Sequence, residues 1–239
     1  MQHQTPTLRF DPPPPFTKKI LIALLGLFVV ELLLENWVTV PLSSLLAWNP
    51  TQTLTKPWQV LTHFLYQGSK PLSFLFDLLA VYFFLPTTQQ NYGRKGIYRL
   101  FSFVVFTAAV FGLITIMIGA VKGTAPAMGI SPFVTAMIVV FGLTNPKATI
   151  LLIVFPIQAA WIAWGTGLFA ALGFLSTRTL PSALWLSGWL AGYAFIEMQP
   201  NGKLRRFFIQ RKHKQTNRRL KEKKIGFTVH DGGKDDTFH

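Results

Sequence analysis

The chain has 239 residues, 50% of them hydrophobic and only 13% charged, with a formal net charge of +14. A soluble domain of this size carries about 25% charged residues, so the composition excludes an ordinary water-soluble domain. The absence of cysteine excludes disulfides and thiolate metal sites; neither a cofactor nor a metal is expected.

In chain order, residues 1–17 are polar and proline-rich (DPPPPF) and read as a disordered cytoplasmic lead. KKILIALLGLFVVELLLENW then predicts a first membrane helix. Lys18 and Lys19 resemble the basic end of a signal peptide, but no small-residue cleavage site follows, so an uncleaved span is expected. Five further apolar stretches run from Leu72 to Thr87, Ile97 to Ala120, Gly129 to Leu143, Ala148 to Gly167 and Pro181 to Met198. Segment 41–70 is rich in Trp, Phe and Leu but broken by Pro57 and Gly68, and reads as an interfacial insertion. The expected fold is therefore all-α: six transmembrane helices over 18–198, then a basic cytoplasmic tail over 199–239.

Orientation follows from the placement of Lys and Arg. With six spans, one side receives 19 of these residues and the other receives Lys56, Lys70, Lys122 and Arg178. Twelve of the 19 lie in the tail, and the remaining 7 still outnumber the 4. Both termini are expected in the cytoplasm, and the plasma (inner) membrane is the expected location. The tail, GKLRRFFIQRKHKQTNRRLKEKK, places Leu204, Phe207 and Phe208 on one helical face. Such a cluster attracts anionic lipid at about 1 kcal/mol per charge, or serves only as a topology anchor. Nucleic acid is not expected, since no aromatic-interleaved basic stripe accompanies the charge.

Three features carry candidate chemistry. In GISPFVTAMIVVFG the helix from Ser131 to Leu143 is about 20 Å long, too short for a core of about 30 Å. KGTAPAMG, 122–129, must then descend into the membrane, putting Ser131 at a helix start beside a wet pocket. The local reading of Ser131-Pro132 is a helix cap, since Ser is preferred at the cap and Pro just after it. In PSALWLSGWLAGYAF, Gly188 and Gly192 are four apart, the spacing for close helix packing, with Trp185 one turn earlier. In LSFLFDLLAVYFFL, Asp77 is ionisable in mid-span and expected to face the interior, with Ser73 on the same face. Glu35 reads as interfacial; Glu31 has no clear assignment.

Together these stretches resemble the rhomboid intramembrane serine proteases over roughly residues 18 to 198. PWQVLTHFLYQGSKPLSFLFDLLAVYFF is similar to the family's first loop and second helix, and FPIQAAWIAW to its fifth span. GISP falls where the family has GxSG, and WLSGWLAG where it has HxxGxxxG. The resemblance implies a serine nucleophile at Ser131, a histidine base at the position of Trp185, and oxyanion-stabilising groups at Ser73 and Asp77. Here the pattern departs from the family. Indole nitrogen only donates and cannot take a proton, a charged Asp77 would repel an oxyanion, and Pro132 removes a backbone N–H. Gln59 stands where many members have arginine. The expectation is a rhomboid-like pseudoprotease, with no competent catalytic residue, that binds or holds transmembrane client segments. The alternative is an active protease using Ser131 with an unusual base, Lys122 being conceivable and His63 read as structural. An ion or small-molecule carrier is disfavoured, because no inverted repeat is visible.

Overall fold

The computed structural model describes residues 12–199 except 69, 153 and 154. The chain divides into two units, Met1–Ile196 and Glu197–His239. The basic tail expected from 199 onward lies, apart from residue 199, outside the described residues. So do residues 1–11 of the expected lead.

Helix α1, Pro15–Asn36, begins on a proline, whose missing N–H costs nothing in a first turn. Residues 15–17, expected in the lead, therefore belong to this helix. Its 22 residues span about 33 Å. Only Phe16, Thr17, Phe28 and Glu31 are buried, and Phe28 stacks on Phe74 with ring centroids 4.1 Å apart.

Segment 41–70 contains only short pieces: α2 (Leu42–Leu46), α3 (Gln59–Thr62) and 3-10 turns at Pro50–Gln52 and His63–Leu65. None is long enough to cross a bilayer. The segment is pinned through Trp48, which is fully buried. Its indole N–H donates to Thr53 Oγ1 at 3.0 Å, and its backbone exchanges two 2.9 Å hydrogen bonds with Ala127. A Cβ at Gly112 would collide with its ring, so that glycine makes room for the plug.

Helix α4, Pro71–Met117, has 47 residues, about 70 Å if straight. Gly93 breaks it, at φ 67° and ψ 177°, a conformation that glycine adopts without a Cβ penalty. The resulting arms, 71–92 and 94–117, are each about 33–36 Å long, and match two of the expected apolar stretches. Val81 and Leu85 of the first arm share one buried core with Leu100, Val104 and Ala108 of the second.

Helix α5, Ser131–Thr144, is the most enclosed: 10 of its 14 residues are buried. Small residues let its neighbours reach its backbone. A Cβ on Gly188 or Gly192 would strike the carbonyl of Pro132 or Ala136, and one on Gly142 would strike that of Ala159. The spacing of Gly188 and Gly192 thus seats α7 (Leu180–Glu197) directly on α5.

The stretch from Ala148 to Gly167 departs from expectation. Its first half is an antiparallel hairpin, β1 (Thr149–Leu152) with β2 (Phe155–Gln158), and helix α6 covers Ala159–Thr177. The fold is thus helical with one small sheet, not all-α. A short apolar run cannot be told as helix or strand by periodicity alone. Thr149, Ile150 and Ile157 are β-branched and favour strand, while Pro156 would break a helix interior.

Among the described residues, α4 and α6 are long and apolar enough to cross a membrane. Large apolar side chains such as Ile22, Leu25, Phe106, Trp161, Leu168 and Phe169 are exposed, as a lipid-facing surface requires.

Candidate functional site

Ser131 is held by the turn before it. Gly129 has φ +87°, and a Cβ there would lie 3.0 Å from Gln67 Oε1 and 3.9 Å from Ser131 Oγ. Only glycine combines that dihedral with so close an approach. The Gly129 N–H donates to the His63 carbonyl at 2.9 Å, which ties the start of α5 to the 3-10 turn at His63–Leu65.

Ser131 is the first residue of α5, and no side chain caps that helix. The expected capping role is therefore not what its hydroxyl does. The hydroxyl has the Asp77 carboxyl as its polar neighbour. The reason is position: Ile130 occupies the cap and Ser131 lies inside the first turn, where its hydroxyl is not placed to accept from the N–H groups a cap serves. The first arm of α4 thus brings Asp77 to Ser131, but Ser73, one turn nearer the helix start, is exposed. The two positions expected to act together are separated.

Ser131 and Pro132 line a cavity of about 420 Å³ with Trp185 and His63. Gly173 of α6 forms part of its wall, and the Trp185 ring lies against that glycine, 3.9 Å from where a Cβ would stand. Thr177, Thr179 and Ser182 line it too, and their hydroxyls form a chain of bonds of 3.0–3.3 Å. Trp185 is 37% exposed, so the indole stands at the cavity's edge, not in the sealed core. The glycine pair one and two turns later packs on α5 and does not enter the cavity.

His63, weighed as a base and read as structural from the sequence, lines this cavity. Its side chain is buried. Nδ1 lies 3.2 Å from the Gln59 carbonyl, which fixes Nδ1 as the donor and leaves Nε2 a bare acceptor. Nε2 has no hydrogen-bond partner. Burial pushes the imidazole down to about 4, so the ring is neutral at physiological pH. The available signal was its isolation: among five histidines, it alone lies outside the terminal segments.

The remaining candidates fall elsewhere. Lys122 is exposed, and its backbone N–H bonds the Arg178 carbonyl at 2.6 Å. Gln59 is buried, donating to the Ser44 carbonyl at 2.9 Å and accepting from the Asn49 N–H at 3.2 Å, so it braces the 44–49 turn. Glu35 is not merely interfacial: it accepts the Tyr66 hydroxyl at 2.8 Å. Glu31 is buried and accepts the Gln67 N–H at 2.8 Å.

The family model described as "Eukaryotic integral membrane protein (DUF1751)" matches residues 19–238. The chain belongs to that family. No curated protein matches it. The match starts at Lys19 in α1 and runs to residue 238. Membrane residence for this family member is therefore established together with its apolar helices, and the chemistry of the cavity rests on the geometry above. That geometry holds a serine hydroxyl beside a carboxyl, a neutral imidazole with a free lone pair, and an indole that cannot accept a proton.

Proposed function

We propose that the protein is a rhomboid-like membrane protein that binds or holds transmembrane segments of clients without cleaving them. Trp185 beside Ser131 carries this reading. A serine is a weak nucleophile without a base in reach, and at the position matching the family's histidine stands a group that only donates. The Ser131 hydroxyl neighbours the Asp77 carboxyl, and Pro132 offers no N–H to an oxyanion. What remains is a cavity walled by α6 and α7, with apolar and hydroxyl lining. That is suited to part of a helix that must leave lipid.

In this reading α1, the two arms of α4, α5, α6 and α7 are six spans. Both termini face the cytoplasm at the plasma membrane, and the basic tail meets anionic lipid. Reporter fusions at residues 95 and 178 should lie on opposite sides; both on one side would refute the topology.

His63 favours a second reading, an active serine protease. Its Nε2 lone pair and Ser131 line one cavity. Against it, a base held near 4 is mismatched to work at neutral pH, where catalytic bases sit near 7. Fluorophosphonate labelling of the purified protein separates the readings. Wild type should label no more than Ser131→Ala. Labelling that is lost in Ser131→Ala and in His63→Phe would establish the protease.

A further inference from the structure

A second cavity lies away from Ser131, between the start of α1 and the second arm of α4. It encloses about 430 Å³ and is lined by Phe16, Lys19, Ile20, Ala23, Arg94 and Tyr98. The α1 residues fall at three- and four-residue steps, one face of a helix. Arg94 and Tyr98 are one turn apart on α4 and face them across the gap. The Arg94 guanidinium sits 5.5 Å from the Phe16 ring centroid, and Tyr98 meets the same ring edge-on at 5.9 Å. The aromatic ring thereby orients the cation without neutralising it.

Two observations point to an anionic ligand. No carboxylate lines the cavity, and among the described residues neither Lys19 nor Arg94 has an ion-pair partner. The position matters as much as the charge. Arg94 follows the Gly93 break that separates two bilayer-length arms, and Lys19 is in the second turn of α1. Both cations therefore stand at headgroup level, while Ile20 and Ala23 continue toward the hydrocarbon. Basic pockets of this kind between membrane helices hold lipid headgroups.

We propose that this cavity binds a phospholipid whose headgroup ends in a phosphate monoester. Arg94 and Lys19 take the phosphate oxygens, the Tyr98 hydroxyl adds a donor, and the first carbons of the acyl chains lie along Ile20 and Ala23. A monoester carries between one and two negative charges at neutral pH, matching two cations better than the single charge of a diester. Arginine's fork suits two oxygens of one phosphate. The site is independent of what occupies the Ser131 cavity.

The test uses full-length protein in phosphatidylcholine nanodiscs containing a few per cent of a photoactivatable lipid. Phosphatidic acid should label peptides containing residues 16–23 or 94–98. Because about fivefold is expected per cation near the surface, Arg94→Gln should lower the label about fivefold and Lys19→Gln/Arg94→Gln about 25-fold. Both side chains are exposed, so these variants should fold, and an unchanged melting temperature checks this. Lys18→Gln, outside the lining, should label as wild type does. Full labelling of the double variant would overturn the site. So would equal labelling by a phosphatidylcholine probe. Soluble glycerol phosphate that competes as well as phosphatidic acid would make it a free-phosphate site and overturn the lipid assignment.

Discussion

Two buried polar clusters lie close together in this molecule, and they differ in closure. In the first, Glu31 and Glu35 of α1 accept the Gln67 N–H and the Tyr66 hydroxyl, each at 2.8 Å. That cluster fixes the chain just before α4. In the second, Ser131, Asp77 and His63 gather at the start of α5 beside about 420 Å³ of open space. Four buried side-chain atoms lack partners among the described residues, and one of them, His63 Nε2, belongs to a residue that lines this cavity. Buried polar groups are nearly always paired. The unpaired imidazole nitrogen at the cavity sets the second cluster apart from the paired glutamates of the first.

The largest effect expected from this contrast is at Glu31. Glu31→Ala deletes an ionisable acceptor and leaves the buried Gln67 N–H unpaired, a loss of about 3 kcal/mol. Glu31→Gln keeps an acceptor and should cost less than half as much. Denaturation in detergent, followed by circular dichroism, measures both. If the alanine variant unfolds where wild type does, the first cluster is not a structural clamp.

Sequence reading found this architecture unevenly, for physical reasons. The apolar runs located α1 and both arms of α4, because bilayer-length helices need long apolar stretches, and α5, because a helix enclosed on nearly all sides is apolar all round. Gly188 and Gly192 were legible because their spacing is the cause of the α5–α7 contact. The β1–β2 hairpin was not, since TILLIVFPIQ is apolar on every phase and period alone does not choose between helix and strand. Ser131 was half legible. Its helix start was apparent, but its hydroxyl's neighbour comes from 54 residues upstream, and capping preferences are blind to that. The surroundings of His63 and Glu35 were illegible for the same reason. Their roles come from tertiary neighbours, the Ser131 cavity and Tyr66, which no local pattern encodes.

The second effect tests the open cluster through pH. His63 is neutral when folded, with its value near 4, against about 6.5 for an unfolded chain. Between those values the unfolded state binds more protons. Stability is therefore full above about pH 6.5 and falls as pH drops toward 4. From pH 7 to pH 5 the loss is roughly 2 kcal/mol. Since carboxyl groups titrate in the lower part of this range, the useful quantity is a difference. His63→Phe should show a shallower fall over this window than wild type. Equal slopes in the two proteins would mean that the imidazole is not held neutral.

The smallest effect is expected at Asp77, and it decides what the open cluster is for. If Asp77 serves only as an acceptor for the Ser131 hydroxyl, Asp77→Asn keeps that bond through its amide oxygen. Stability should then change by less than about 1 kcal/mol. Ser131→Ala should likewise cost about 1 kcal/mol, the net worth of one hydrogen bond. The contrast with Glu31→Ala is the point: Glu31 is buried and clamps backbone, whereas Asp77 is half-buried and its neighbour Ser131 edges a cavity. A loss above about 3 kcal/mol in Asp77→Asn would mean an ionised carboxylate with a charged partner. The second cluster would then be as structural as the first, and the cavity beside it would lose its claim to be the binding site.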